Sequence, residues 1–119
     1  MIKYLIRAVV LASVVAVSVP AQAQDAKKGQ EYFLKYTCYG CHGFAGQNGP
    51  GFRLVPMKMT QANFTGLVRN PGAPTRMPPY SAKVLTEEQL GDIWAYLKTL
   101  PDSPPAKNIP LLQQIENEK

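Results

Sequence analysis

The chain contains one histidine and two cysteines, and all three lie in the pentapeptide Cys38-Tyr39-Gly40-Cys41-His42. The spacing C-x-x-C-H is the attachment site of c-type haem. Two thiols must reach the two vinyl groups at one edge of the porphyrin, and the next residue must place its imidazole beneath the iron. A short helical turn brings Cys38, Cys41 and His42 together in this way. The pentapeptide therefore predicts one covalent haem c, with thioethers from both cysteines and His42 as the proximal iron ligand.

Other chemistries also use neighbouring cysteines. A thioredoxin-like redox pair has the spacing C-x-x-C, but it accompanies a βαβ pattern, and this sequence has no strand-rich pattern. A zinc site wants four nitrogen or sulfur ligands, whereas this chain offers three. A disulfide across two residues remains an alternative, although it adds little loop-closure stabilisation. Haem attachment is favoured because a histidine directly follows the second cysteine.

The first 23 residues have the features of an export signal. Lys3 and Arg7 precede an uncharged run, 8–19, that is too short to span a bilayer comfortably. A proline ends the run, and Ala21-Gln22-Ala23 fits the small-residue rule for cleavage. We therefore expect residues 1–23 to be a cleaved signal peptide and the mature protein to be periplasmic, without a membrane span. The alternative is an uncleaved anchor.

Charge and length limit the remaining function classes. The sequence has 13 Lys plus Arg and 8 Asp plus Glu, a formal net charge of +5. Lys3 and Arg7 leave with the signal, so the mature chain has 11 basic residues and a net charge of +3. Part of the excess of basic over acidic residues thus belongs to the export signal, and the excess does not indicate nucleic-acid binding. A chain of 119 residues excludes a large multidomain enzyme, and its modest core favours a stabilising cofactor.

Hydrophobic periodicity predicts three helices joined by loops rich in glycine and proline. The predicted helices span residues 26–36, 61–69 and 87–100, with Asp25, Thr60 and Thr86 as their N-caps. In the last of them, Thr86 and Gln89 form a capping box, and Pro101 ends the helix.

Two glycines and a proline-rich tail complete the pattern. Gly29 costs about 1 kcal/mol inside a helix, which indicates either a close helix crossing or a tolerated position in a frayed first turn. Gly91 predicts a second close approach of backbones. Prolines favour an extended tail over residues 106–119, and we expect Ile109, Leu111 and Leu112 to pack back on the domain.

Together these features resemble the small class I c-type cytochromes. The resemblance covers nearly all of residues 25–100 and rests on the pentapeptide, Gly49-Pro50, Met77-Pro78-Pro79-Tyr80 and the helical segment Asp92-Ile93-Trp94-Ala95-Tyr96-Leu97. More narrowly, the chain is similar to small bacterial periplasmic cytochromes that partner dehydrogenases. The family implies an all-α fold in which the first and last helices cross near the haem edge and Gly/Pro-rich loops enclose the haem. The haem domain would span residues 24–105.

The resemblance also implies particular site residues. In the family, a methionine sulfur binds the iron opposite the histidine, and Met77 stands where the family places it. Met57 and Met59 are the alternatives. The family further implies that the carbonyl of Pro50 accepts a hydrogen bond from the ligating imidazole. Tyr80 is a candidate donor to a haem propionate, since a buried tyrosine usually finds a hydrogen-bond partner.

Ligation by His42 and Met77 decides the expected function. A neutral, soft thioether favours ferrous iron and raises the reduction potential. Two axial ligands leave no open position for oxygen or peroxide, which predicts a single-electron carrier and not an enzyme. We expect a dehydrogenase as donor and an oxidase or another cytochrome as acceptor. The alternatives are a fixed electron-transfer subunit of a dehydrogenase complex and a gas-binding or peroxidatic haem protein with an open iron position.

Charge placement indicates how such a carrier meets its partners. No Asp or Glu occurs between Tyr32 and Thr86. This acid-free segment contains Lys35, Arg53, Lys58, Arg69, Arg76 and Lys83. We expect the haem to emerge in a positive field that steers an acidic partner surface toward it. The other interpretation is that these residues only offset the haem propionates and keep the surface soluble.

Overall fold

The computed structural model describes residues 23–74 and 76–118, so nearly all of the predicted signal peptide lies outside the described residues. The elements in the described ranges are α1 (Ala26–Lys35), α2 (Tyr39–His42), α3 (Gln61–Arg69), α4 (Glu87–Thr99), a 3-10 turn (Ala106–Asn108) and α5 (Pro110–Asn117). These ranges contain no β-strand. The prediction of an all-α fold is therefore confirmed.

The three predicted helices begin at the predicted caps. The Asp25 carboxylate accepts hydrogen bonds from the backbone amides of Lys27 and Lys28 in the first turn of α1, and the Thr60 hydroxyl caps α3. Thr86 and Gln89 form the predicted capping box of α4. Helix α1 ends at Lys35, one residue before the predicted end, and α4 ends at Thr99 because the residue before Pro101 is extended.

The core lies where α1 crosses α4, and α3 packs against α4 beside this crossing. A Cβ built on Gly29 would lie 2.9 Å from Tyr96 Cβ and closer still to the backbone carbonyl of Asp92. The close crossing at Gly29 is therefore confirmed. Across the same contact, the Asp25 amide donates to the buried Asp92 carboxylate over 2.7 Å. The core consists of Phe33, Met57, Phe64, Val68, Leu85, Leu90, Ile93, Tyr96 and Leu97.

The predicted second backbone approach, at Gly91, is wrong. The space that a Cβ would take there is bounded by the side chains of Gln24 and Gln61 and not by backbone. These flexible amides also hydrogen-bond to each other, so Gly91 leaves room for a polar contact between α3 and the residue preceding Asp25.

The prediction of an extended tail is also wrong over residues 110–117, which form α5. Pro110 is the first residue of this helix, where a proline loses no hydrogen bond and its fixed φ suits the helix. Leu111 and Leu112 do not pack back on the domain as predicted, since they are 63% and 39% exposed, and Ile115 beside them is 48% exposed. Ile109, the third residue of that prediction, is half-buried. Among the helices of residues 23–118 that the structure describes, none is long and apolar enough to cross a membrane.

Candidate functional site

The pentapeptide folds as a single helical turn directly after α1. Cys38 has helical dihedral angles, and its carbonyl accepts a hydrogen bond from the His42 amide over 3.0 Å. The Gly43 amide closes the turn by donating to the Tyr39 carbonyl over 2.8 Å. Cys38, Cys41 and His42 are thus brought together on one turn. Both cysteines are free thiols, so the disulfide alternative is not formed in this structure.

The two thiols face different surroundings. Cys38 packs against the apolar core, and burial raises the pKa of its thiol from 9.0 to about 11. Cys41 is exposed to solvent. A group bound to both sulfur atoms would therefore lie at the boundary between the core and solvent, with one edge accessible.

The imidazole of His42 is held by one hydrogen bond. Its Nδ1 lies 2.7 Å from the carbonyl oxygen of Phe52, which assigns the proton to Nδ1 and leaves the lone pair of Nε2 free for a metal. The prediction named the carbonyl of Pro50 as this acceptor, but the structure gives Phe52, two residues further along the chain. A carbonyl that orients the ring is present, but it comes from a different residue.

Gly51 explains why the later carbonyl reaches the ring. Its amide donates to the Cys41 carbonyl over 2.7 Å, which pulls the loop onto the helical turn. A Cβ on Gly51 would lie only 2.8 Å from both Nδ1 and Cε1 of His42. Only a residue without a side chain lets the backbone pass so close to the imidazole, and the next carbonyl is then directed at Nδ1.

This donor set fits a covalently bound haem. Two free thiols and an imidazole with an available Nε2 lie on one turn, as the two vinyl groups and the iron require. In the described part of the chain, no group of three or more His, Cys, Asp and Glu side chains is arranged to hold a metal ion by itself. The zinc alternative therefore gains no support.

The three candidate methionines differ in their surroundings. Met57 is only 8% exposed and belongs to the apolar core, as expected of a methionine that fills space. Met59 and Met77 are partly buried against that core. Met59 lines an open concavity beside α3, and its carbonyl accepts a hydrogen bond from the Trp94 indole over 3.1 Å.

Tyr80 lies near the thiols but has a protein partner. Its hydroxyl donates to the Tyr36 carbonyl over 3.2 Å, and the two rings meet edge to face. Burial raises the pKa of the Tyr80 phenol, and Coulombic repulsion from Cys38 and Cys41 adds to the effect. Tyr80 belongs to the segment 76–86 that contains Met77 and precedes α4, which we call the methionine loop. The hydroxyl predicted to bind a haem propionate thus joins the methionine loop to the end of α1 in this structure.

Two of the six basic residues of the acid-free segment are paired with acids from outside it. Arg53 pairs with Asp102, and Arg69 pairs with Glu87 over 3.0 Å. Within the part of the chain that the structure describes, Lys35, Lys58, Arg76 and Lys83 make no ion pair. The positive field is therefore weaker than the sequence alone predicts. The acid-free segment contains no acidic residue of its own, but folding brings acidic residues from outside it into contact with two of its arginines.

Three residues of this region have roles that sequence reasoning missed. Phe52 orients the imidazole, Gly51 makes room for it, and Arg69 donates to two backbone carbonyls between Met77 and α4. The Gly-Pro-Gly run after the pentapeptide was a usable signal for Gly51. Nothing in the sequence distinguishes Arg69 from the other basic residues of the segment.

A family model described as "Cytochrome C oxidase, cbb3-type, subunit III" matches residues 24–97. The match begins just before the cap of α1, includes the pentapeptide and Met77, and reaches nearly to the end of α4. It covers more than half of the chain. A search of curated proteins found no match, and a search of solved structures found none.

Proposed function

The chain belongs to the family of monohaem c-type cytochrome domains that this family model describes, and on this premise we propose that it carries single electrons in the periplasm. A domain of this family is an electron carrier and not a catalyst. When bound, the haem supplies one iron atom that alternates between its ferric and ferrous states. The observation that carries the proposal is the helical turn with two free thiols and an imidazole whose Nε2 is available.

The protein residues bind and orient the haem. Cys38 and Cys41 would hold the haem through thioethers, and His42 would bind its iron through Nε2. The Phe52 carbonyl holds the proton at Nδ1 and fixes the plane of the ring, which also makes Nε2 a stronger donor. The intact mass of the purified protein tests this assignment. It must exceed that of the polypeptide by one haem, and a colourless protein without added mass contradicts the proposal.

We assign Met77 as the second axial ligand. Its loop is tied to α1 and α3 through Tyr80 and Arg69, and two following prolines limit its backbone freedom. Met57 already fills the core, so Met59 is the main rival. Met77→Ala should abolish the weak near-infrared sulfur-to-iron absorption and leave the haem attached. Met59→Ala is the matched control and should retain this band. The opposite result makes Met59 the ligand.

Export fits the contacts at the start of the domain. The Gln24 side chain hydrogen-bonds to Gln61, and the Asp25 amide donates to Asp92. Removal of a signal peptide of residues 1–23 would leave these contacts intact. The proposed division is the signal, the haem domain over 24–105 and the tail over 106–119. N-terminal sequencing of the periplasmic protein should read Gln24 first. A retained residue 1 instead indicates an anchor.

A dehydrogenase donates electrons to this protein, and an oxidase or another cytochrome accepts them. The matching family description names an oxidase subunit, which supports the oxidase as acceptor. Four basic residues of the acid-free segment make no ion pair within the described part of the chain, which supports docking to an acidic surface on either partner. The rate of electron transfer should therefore fall as ionic strength rises. A rate that does not respond to salt removes the electrostatic part of the proposal.

The exposed apolar side chains of α5 favour a second candidate, a fixed subunit of a dehydrogenase complex. This candidate predicts co-purification with the complex and its loss when residues 106–119 are deleted. A free shuttle predicts a monomer in size-exclusion chromatography, and the same deletion should not change its rate of electron transfer.

A further inference from the structure

One guanidinium group ties together three parts of the molecule around the methionine loop. Arg69 is the last residue of α3, and its Nη1 donates to the carbonyls of Tyr80 and Leu85 over 2.8 and 2.6 Å. Its Nη2 donates to Glu87 Oε1, in the first turn of α4, over 3.0 Å. The Arg69 side chain is 15% exposed. A single side chain thus spans the end of α3, the loop and the start of α4.

Backbone and tyrosine contacts fix the same loop from other sides. The Tyr80 amide donates to the Val68 carbonyl over 3.1 Å, and the Tyr36 hydroxyl donates to the Val84 carbonyl over 2.9 Å. Residues 80–85 are thereby attached to α1 and α3. Met77 lies three residues before this anchored stretch, so the anchoring limits how far its sulfur can move from the core.

We propose that Arg69 is a positioning residue that keeps the Met77 sulfur on the iron. This inference rests on the proposed function, which assigns Met77 as the axial ligand. Hydrogen bonds from a charged donor are stronger than those between neutral groups, and Arg69 makes two of them to the loop backbone. Without Arg69, both carbonyls lose this donor, residues 77–85 gain conformational freedom, and the sulfur leaves the iron more often.

The carbonyl bonds, and not the ion pair, carry this role. Glu87 is 69% exposed, and an ion pair with so much solvent access contributes little. Glu87→Gln removes the charge but keeps an acceptor for Nη2 and leaves both carbonyl bonds intact. We therefore expect Glu87→Gln to leave the position of the sulfur unchanged.

The test is the rate at which added imidazole binds to the ferric iron of the full-length holoprotein, because imidazole enters only when the sulfur leaves. Arg69→Met should raise this rate about tenfold, which corresponds to about 1.4 kcal/mol, and should weaken the near-infrared sulfur-to-iron band. Arg69→Lys keeps one cationic donor and should restore part of the difference. Arg53→Met is the matched control. It removes the other paired arginine, which donates to Val55 and Asp102 and not to the methionine loop, and its rate should equal the wild-type rate.

The inference is overturned if Arg69→Met binds imidazole at the wild-type rate, or if Arg53→Met accelerates binding as much. A lower resistance to denaturant with an unchanged imidazole rate also overturns it, since that is a purely structural role. If Arg69→Met yields no holoprotein, Arg69→Gln, which is too short to bridge both carbonyls, is measured with the same expectations. Met77→Ala separates the two proposals. If it retains the near-infrared band, the ligand assignment fails; if it loses the band while Arg69 variants behave as wild type, only this inference fails.

Discussion

Replacing Gly29 with alanine should destabilise the protein, although alanine is the better helix former. In an open helix position the change would add about 1 kcal/mol of stability. At Gly29, however, the new Cβ would lie 2.9 Å from Tyr96 Cβ and would overlap the backbone carbonyl of Asp92. Neither neighbour is the end of a flexible side chain, so α1 and α4 must separate. Overpacking of this kind costs about 1–3 kcal/mol. Because the new Cβ overlaps backbone, which cannot rotate away, we take the overpacking cost as about 3 kcal/mol. After the gain of about 1 kcal/mol in helix propensity, we expect the free energy of unfolding to fall by about 2 kcal/mol.

Denaturant unfolding of the holoprotein, followed by helical circular dichroism, measures this change. The matched control is Gly66→Ala in α3, where nothing lies within 4 Å of the new Cβ. We expect this control to stabilise the protein by about 0.5–1 kcal/mol. If Gly29→Ala stabilises the protein as Gly66→Ala does, the close crossing of α1 and α4 is not present in solution and the reasoning is refuted.

Three further predictions concern single contacts. Asp92→Ala removes the acceptor of the Asp25 amide and should lower the free energy of unfolding by about 2 kcal/mol, with a smaller loss for Asp92→Asn; equal losses would contradict the hydrogen bond. Gly51→Ala should displace the His42 imidazole and shift the reduction potential and the paramagnetic NMR resonances of the haem, whereas Gly66→Ala should leave both unchanged. In the haem-free chain, the pKa of Cys38 rises from 9.0 to about 11 on folding, so stability present below pH 9 should fall as the pH rises from 9 to 11. Cys38→Ala should remove that part of the pH dependence in urea titrations, and an unchanged profile would show that the thiol is not buried.

Short-range patterns predicted correctly where the helices begin. Asp25, Thr60 and Thr86 cap their helices through bonds to amides two or three residues away, so no distant part of the chain is needed to identify them. The role of Gly29 could not be predicted from local sequence, because its context allows either a close helix crossing or a frayed first turn. Only the position of α4 against it decides between these two.

Long-range partners explain the error about charge, and the local position of one proline explains the error about the tail. The sequence shows an acid-free segment, but Arg53 meets Asp102 and Arg69 meets Glu87, since folding brings acids from beyond the segment back to it. The tail was predicted to be extended because of its prolines, yet Pro110 takes the one helical position that suits a proline. Its apolar residues then form an exposed face, which no local pattern distinguishes from one that packs on the core.

The sequence alone determined the chemistry of this protein, because the two thiols and the imidazole must lie within one helical turn to bind haem, and five consecutive residues contain that geometry. The tertiary structure decided what surrounds that turn. The path of the loop past Gly51 selected the Phe52 carbonyl for His42, and the approach of α3 to α4 placed Arg69 on the backbone that follows Met77. These contacts join residues whose separation along the chain carries no periodic signal, so their partners are defined only once the helices have packed.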